Sequence, residues 1–208
     1  DPVAGGSVTP DIPPPYHYGD VVTLSQTTNP GFTFSGWSGD GVDVGGDRSV
    51  TIDGNKHVTA SYAYIELTFT PNVVGNGHVD KVPDKPTYHV GDVVQLTAVA
   101  DSGWTFAYWD GDLTGTNNPD IVTIDANPAV TAYFSHNQYT VTFDQVGLDG
   151  AASGTVVTVN GVPKTYGDMP FQFLAYDGDT ITYSYAATVF GGSGTQFVRT
   201  SVDGPSSP

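Results

Sequence analysis

The sequence predicts an all-β protein of three small tandem domains in an elongated arrangement: two homologous repeats, then a divergent meander or sandwich-like unit. Three observations carry this. The run His17-Tyr18-Gly19-Asp20-Val21-Val22-Thr23-Leu24 returns as His89-Val90-Gly91-Asp92-Val93-Val94-Gln95-Leu96. The register then holds through Trp37 and Trp109, Gly39-Asp40 and Gly111-Asp112, and Thr51-Ile52-Asp53 and Thr123-Ile124-Asp125, each pair 72 residues apart (91 − 19, 109 − 37). A fixed period of this size marks copied supersecondary units. Second, 26 Gly and 15 Pro punctuate short runs of Val, Thr, Ile, Tyr and Phe, as strands bounded by turns require. Third, no segment keeps an apolar i, i+3, i+4 pattern for the length of a helix. The predicted domains are 1–63, 64–136 and 137–208.

The second unit reads most completely. A strand at Ile65–Thr70 leads through the loop Pro71–Asn76 to a short strand around His78–Val82, and Pro83–Pro86 links it to the strand Asp92–Ala98. After the turn Asp101-Ser102-Gly103 comes Trp104–Trp109. Strict alternation there places Trp104, Phe106 and Tyr108 on one face and Thr105, Ala107 and Trp109 on the other. A polar loop, Asp110–Asp120, precedes the closing strands Ile121–Ile124 and Ala129–Phe134. The first unit repeats this with Val21–Gln26, Phe32–Trp37, a Gly/Asp loop, Val50–Ile52 and His57–Tyr62. It has no counterpart of Ile65–Thr70, so its first strand is either lost by excision or supplied by another chain.

The third unit opens alike, with Tyr139–Phe143, and then departs. Asn160-Gly161 between Thr155–Val159 and Val162–Tyr166 is a type I′ hairpin signal, because both residues tolerate positive φ. Phe171–Tyr176, the turn Asp177-Gly178-Asp179, Thr180–Ala187 and Gln196–Val202 complete a meander. Units of about 70 residues bury little core each and gain from packing end to end.

A formal charge of −16 with six basic residues argues against nucleic acid, whose binding needs a cationic footprint, and against anionic membrane surfaces. All the acidic residues but Glu66 are Asp, a turn residue whose short carboxylate bonds nearby backbone amides. The acidity is therefore expected on loops. Without Cys there is no thiolate chemistry and no Cys-ligated zinc. The opening at Asp1, without a signal peptide or membrane-spanning run, suits a mature or excised fragment. Asp1-Pro2 and Gly204–Pro208 read as linker, and no Asn-x-Ser/Thr glycosylation acceptor occurs.

The chain resembles a known family through Val73-Val74-Gly75-Asn76-Gly77-His78-Val79, Tyr88-His89-Val90-Gly91-Asp92-Val93-Val94-Gln95-Leu96-Thr97-Ala98, Gly103-Trp104-Thr105-Phe106, Trp109-Asp110-Gly111-Asp112 and Val130-Thr131-Ala132-Tyr133-Phe134. These look like the divergent internalin-B B-repeat, a module of large extracellular and cell-wall proteins of bacteria and archaea. The first unit matches through Tyr18-Gly19-Asp20, Gly36-Trp37-Ser38-Gly39-Asp40 and Val58-Thr59-Ala60, so the resemblance spans about residues 5–134. The third unit is similar only loosely to β modules of secreted surface proteins. The resemblance implies an extracellular, non-catalytic role and carries over no binding residues.

Two sets of side chains are candidates for ligand binding. Trp37 and Trp109, if exposed on a flat face, are stacking platforms for sugar rings; if buried, each plugs one unit's core, where an indole covers about 200 Å². Identical placement in both units suits the core. Asp40, Asp43 and Asp47, with Asp110, Asp112 and Asp120, are candidate calcium ligands, since calcium takes several loop oxygens. Their spacing does not follow the EF-hand loop, and solvated turns are the simpler reading.

The scattered His residues form no His-x-x-x-His pair. Ser193 in Gly191-Gly192-Ser193-Gly194-Thr195 misses the nucleophile elbow. Glu66 is the one Glu available to an acid pair for glycoside hydrolysis or to an intramolecular Lys–Asn isopeptide.

The sequence thus favours a non-catalytic stalk or adhesion segment of a cell-surface or secreted protein. Its partners would be neighbouring domains of a larger protein or copies of itself, with no nucleic acid and no membrane insertion. Two alternatives stay open: a polysaccharide-binding accessory module of a secreted hydrolase, for which an aromatic row of Trp37, Trp109, Tyr62, Tyr108 or Tyr133 must be exposed, and a filament subunit assembled by strand complementation.

Overall fold

A computed structural model describes residues 5–203; the linker expectations at Asp1-Pro2 and Gly204–Pro208 lie outside the described residues. The elements are strands and two short 3-10 turns. The chain divides into two compact bodies. One comprises Asp1–Val74, His78–Val99 and Ala107–Tyr133; the other comprises Gly75–Gly77, Ala100–Phe106 and Phe134–Pro208.

In the first repeat, β1 (Gly6–Pro10), β2 (Val21–Thr28), β4 (Val42–Val44) and β5 (Asp47–Thr51) form a sheet in the order β1-β2-β5-β4. A separate pair joins β3 (Phe32–Gly39) to β6 (Val58–Tyr64). The expected Gly/Asp loop is instead largely the β4–β5 hairpin. Gly45 and Gly46 take φ of 62° and 102°, the consecutive left-handed pair that a two-residue I′ hairpin demands. Short Val-Asp-Val between turn residues was too brief a run to read as a strand.

The second repeat has β7 (Asn72–Val74), β8 (Gly77–Val82), β9 (Val93–Ala100), β10 (Trp104–Gly111), β11 (Asp120–Thr123) and β12 (Val130–His136). They form sheets ordered β10-β12-β7 and β11-β9-β8. Two expectations are corrected here. Ile65–Thr70 is not a strand: Leu67 alone pairs, exchanging both backbone hydrogen bonds with Tyr88 (2.9 and 2.8 Å). An antiparallel ladder would next bring Phe69 opposite Pro86, which has no N–H to give. The Phe69 carbonyl accepts from Lys81 Nζ instead (3.0 Å). The strand sits one segment later, inside the expected loop, where β7 runs parallel to β12 with Tyr133 opposite Val74.

Alternation also breaks along β10. In β3 the register with β6 slips between Phe34 and Gly36, a bulge that advances the side-chain phase by one. Phe34 and Trp37 consequently meet edge to face at 5.5 Å. In β10 the burial pattern breaks at the equivalent place, leaving Tyr108 exposed and Trp109 1% exposed. Trp109 therefore points inward and Tyr108 outward, the reverse of the faces that strict alternation assigns.

The core is concentrated in the second repeat, around Tyr88, Val94, Leu96, Trp109, Ile124 and Val130. Among its described residues the first repeat buries just Gly5, Val22, Arg48 and Val50. At the position of Ala98 it carries Gln26, whose amide oxygen is buried without a hydrogen-bond partner.

The third unit pairs β13 (Gln138–Phe143) with β16 (Phe171–Tyr176). It builds β14 (Val157–Val159), β15 (Val162–Lys164) and β17 (Tyr183–Tyr185) into a second sheet, and closes with the hairpin of β18 (Thr188–Phe190) and β19 (Gln196–Val198). Asn160 and Gly161, at φ 48° and 78°, make the expected I′ turn. Phe143, Val157 and Val159 form its core with Phe171, Phe173 and Tyr183 packed around them.

Because a buried indole leaves a large cavity when truncated, Trp109→Ala should cost about 3–5 kcal/mol. Trp37→Ala, at a half-buried site, should cost clearly less. Urea unfolding followed by far-UV circular dichroism compares the two; equal losses would contradict the difference in packing.

Candidate functional site

The most conspicuous repeated motifs resolve into backbone clamps. In each repeat the His-x-Gly-Asp turn holds its glycine at φ near 94° (Gly19) or 93° (Gly91). The carboxylate of the following Asp accepts from the His backbone N–H, at 2.7 Å for Asp20 to His17 and 3.2 Å for Asp92 to His89. The Gly19 and Gly91 N–H groups reach the Ile52 and Ile124 carbonyls, both at 2.7 Å. Gly39-Asp40 and Gly111-Asp112 form a second clamp. Asp40 Oδ2 accepts from His57 N, and Asp112 Oδ2 from Ala129 N, each at 2.8 Å. A Cβ on Gly39 or Gly111 would collide with the carbonyl it faces, so glycine is required there.

Those geometries place the candidate calcium ligands. Asp40 and Asp112 already bind backbone amides. Asp43 pairs with Arg48 at 2.7 Å, and Asp120 accepts from the neighbouring Ile121 N–H at 2.8 Å. Asp47 and Asp110 sit apart on β5 and β10. Among the described residues no three His, Asp or Glu side chains converge on a point where they could hold a metal ion.

The residues that do close these loops were not singled out in the sequence. Arg48, 9% exposed, donates to the Asp40 and Gly39 carbonyls at 2.9 and 2.6 Å as well as to Asp43. The second repeat has Asp120 at that position and uses Asn118 instead, which bonds both the N–H and the carbonyl of Ala98 (2.9 and 2.7 Å). A lone arginine inside an acidic loop was the available signal for Arg48; Asn118 gave none.

The aromatic candidates separate in the same way. The Trp109 indole N–H donates to the Asn117 carbonyl (2.8 Å) and that of Trp37 to the Gly46 carbonyl (3.0 Å). Both rings thus tie the loop back onto the core, and Trp109 has no face free for a sugar. Tyr62 is half-buried against Phe34 at 5.7 Å, its hydroxyl donating to the Ser7 carbonyl (3.2 Å). Tyr108 and Tyr133 differ: their rings stack at 4.7 Å and 11° on the outer face of sheet β10-β12-β7.

Two further features are ordered by pairing. Glu66 is held below the usual carboxylate range by a hydrogen bond from Thr87, then by His89, whose Nε2 lies 3.1 Å away. In the third unit a groove of about 540 Å³ is lined by Leu148, Val156, Tyr185, Val189, Phe197 and Arg199, among others. Two of its polar side chains are engaged by the protein: the Tyr185 hydroxyl donates to the Asp144 carbonyl (3.0 Å) and Arg199 to the Tyr185 carbonyl (2.8 Å). Burial pushes the Tyr185 phenol up. Ser193 lies in a short 3-10 turn at φ 56°.

Tandem β units held by copied turn clamps and a copied tryptophan define a repeat protein. The chain belongs to the divergent InlB B-repeat domain family, whose model matches residues 1–66 and again 67–138. No curated protein and no solved structure matches the chain.

Two turn carboxylates, Asp92 and Asp168, contribute to the acid limb of stability. Asp92 is held below the usual carboxylate range first by the His89 backbone N–H and then by Lys85, and Asp168 by the Thr165 backbone N–H and hydroxyl. Groups depressed in the folded state stabilise it above their unfolded values, and that contribution is lost as pH falls through the folded ones. Thermal midpoints should therefore stay level from neutrality to about pH 5 and fall below about pH 4, less steeply in Asp92→Asn. A melting temperature unchanged down to pH 2 would contradict the roles of Asp92 and Asp168.

Proposed function

We propose that the chain is a non-catalytic segment of a bacterial or archaeal surface protein, a spacer that carries neighbouring domains away from the cell. Family membership supports a surface-associated repeat. No helix among the described residues is long and apolar enough to cross a membrane.

The observation that carries the spacer reading is that the joint is copied along with the unit. Where the first repeat meets the second, the Ile65 N–H donates to the Gly31 carbonyl at 2.8 Å. Tyr64 is sandwiched between Phe32 at 4.5 Å and His89 at 4.3 Å. At the equivalent position one repeat later, the Asn137 N–H donates to the Gly103 carbonyl, also at 2.8 Å. There His136 is stacked between Trp104 and Tyr176, each at 4.7 Å. Linked domains move freely unless contacts restrain them. A hydrogen bond plus a three-ring stack at each joint restrains bending.

Small-angle scattering tests this. Tyr64→Ala should leave the strand content unchanged and give a more flexible, broader distribution of distances than the parent chain. Identical profiles would remove the joint from the argument. An antibody that labels the chain only in permeabilised cells of its source would overturn the surface reading.

A further inference from the structure

We propose that the outer face of the sheet β10-β12-β7 is a binding face for a neutral polysaccharide. Burial alternates along β12: Val130, Ala132 and Phe134 are buried, while Thr131, Tyr133 and Ser135 face outward. Tyr133 stacks on Tyr108 of β10 and lies opposite Val74 of β7. The three make a row across the sheet, with Tyr108 44% and Val74 47% exposed. Strands lie about 4.8 Å apart, so the row runs about 10 Å, long enough for more than one sugar ring. Two residues along each strand, on the same face, come Asp110, Thr131 and Asn72, with Thr131 opposite Asn72.

An apolar row flanked by a polar row is the surface a pyranose chain fits. The C–H face of the sugar packs on tyrosine, which offers a flat apolar body at little entropic cost. Its hydroxyl rim meets a carboxylate acceptor, a hydroxyl and an amide that both donates and accepts. β10 ends the order of its sheet; beyond it the loop residue Gly115 bridges to Trp109, and Tyr108 stays 44% exposed beside that bridge. Charge narrows the ligand further. A net −16, with Asp110 beside the rings, repels polyanions such as nucleic acid or acidic glycans, which leaves neutral chains.

The chain contains its own control. At the positions of Tyr108 and Tyr133 the first repeat has Gly36 and Ser61, which are partners in the β3–β6 ladder. The same pair of strands and the same inward tryptophan form there without the tyrosines. The pair is therefore dispensable for the fold, and its place on the surface asks for a ligand. The binding face does not depend on where the chain is displayed, so it stands or falls apart from the spacer reading.

Affinity gel electrophoresis with xylan, galactomannan, mixed-linkage β-glucan and glycol chitin tests it. The parent chain should be retarded at least twofold in one of these gels. The double variant Tyr108→Gly/Tyr133→Ser, which takes the residues of the first repeat, should lose the retardation while keeping its far-UV spectrum. Tyr139→Ala, at an exposed tyrosine in the third unit, should be retarded like the parent. Should the double variant misfold, Asp110→Asn and Asn72→Ala provide the same reading from the polar row, each weakening retardation. A parent chain that runs freely in all four gels, or a folded double variant retarded like the parent, overturns the proposal.

Discussion

The fold of each repeat depends on one tryptophan that a bulge turns inward. A unit of about 70 residues has too little apolar surface to make a self-sufficient core by simple alternation. The extra residue in β3 puts Trp37 beside Phe34, and the matching break in the burial alternation of β10 puts Trp109 inside the second repeat, so the bulkiest side chain fills space that a regular strand would have given to a smaller one. Its one polar atom then has to be satisfied, because a buried donor without a partner costs on the order of 1–3 kcal/mol. The indole N–H takes a loop carbonyl, Gly46 or Asn117, so the loop that follows the strand is drawn onto the core. Burial and loop closure are thus one constraint, met twice.

What varies between the repeats is how the loop answers that constraint. In the first, the Gly-Gly turn makes a hairpin and Arg48 reaches back to two carbonyls and Asp43. In the second, no hairpin forms and Asn118 bonds to β9. The two solutions satisfy different backbone groups, the Gly39 and Asp40 carbonyls with a charge in one repeat and the N–H and carbonyl of Ala98 with an amide in the other. The repeat tolerates a change in chemistry as long as the hydrogen bonds are made. The same logic lets so acidic a chain fold. Many of its carboxylates accept backbone N–H groups in turns, as Asp20, Asp40, Asp112 and Asp179 do, so they organise the chain while remaining at the surface.

Function, in such a design, has to live where the two copies differ, since what they share is needed to build them. The His-x-Gly-Asp turns, the Gly-Asp clamps and the tryptophans are shared, and each is occupied structurally. The tyrosine pair, present in one copy only, is not. The stacks at the joints are intermediate: aromatic rings recur at each, but their identities change, Phe-Tyr-His at one and Trp-His-Tyr at the next. Ring stacking asks for flat surfaces, and His, Tyr, Phe and Trp all supply them.

The sequence by itself determined the all-β class, the repeat and its period, the family, the I′ hairpin at Asn160-Gly161 and the structural use of Asp in turns. These are local or periodic properties: positive φ at Gly and Asn, β-branched runs between turn residues, and a register that repeats. Tertiary structure decided the rest. Which way Trp109 and Tyr108 face depends on a bulge, and a bulge has no signature in strict alternation. Whether Ile65–Thr70 or Asn72–Val74 becomes a strand depends on which edge lies alongside, and Pro86 withholds the donor from the first while β12 offers an edge to the second. The joints and the tyrosine face join residues from separate strands. Their meeting is set by sheet order and register, which no single segment encodes.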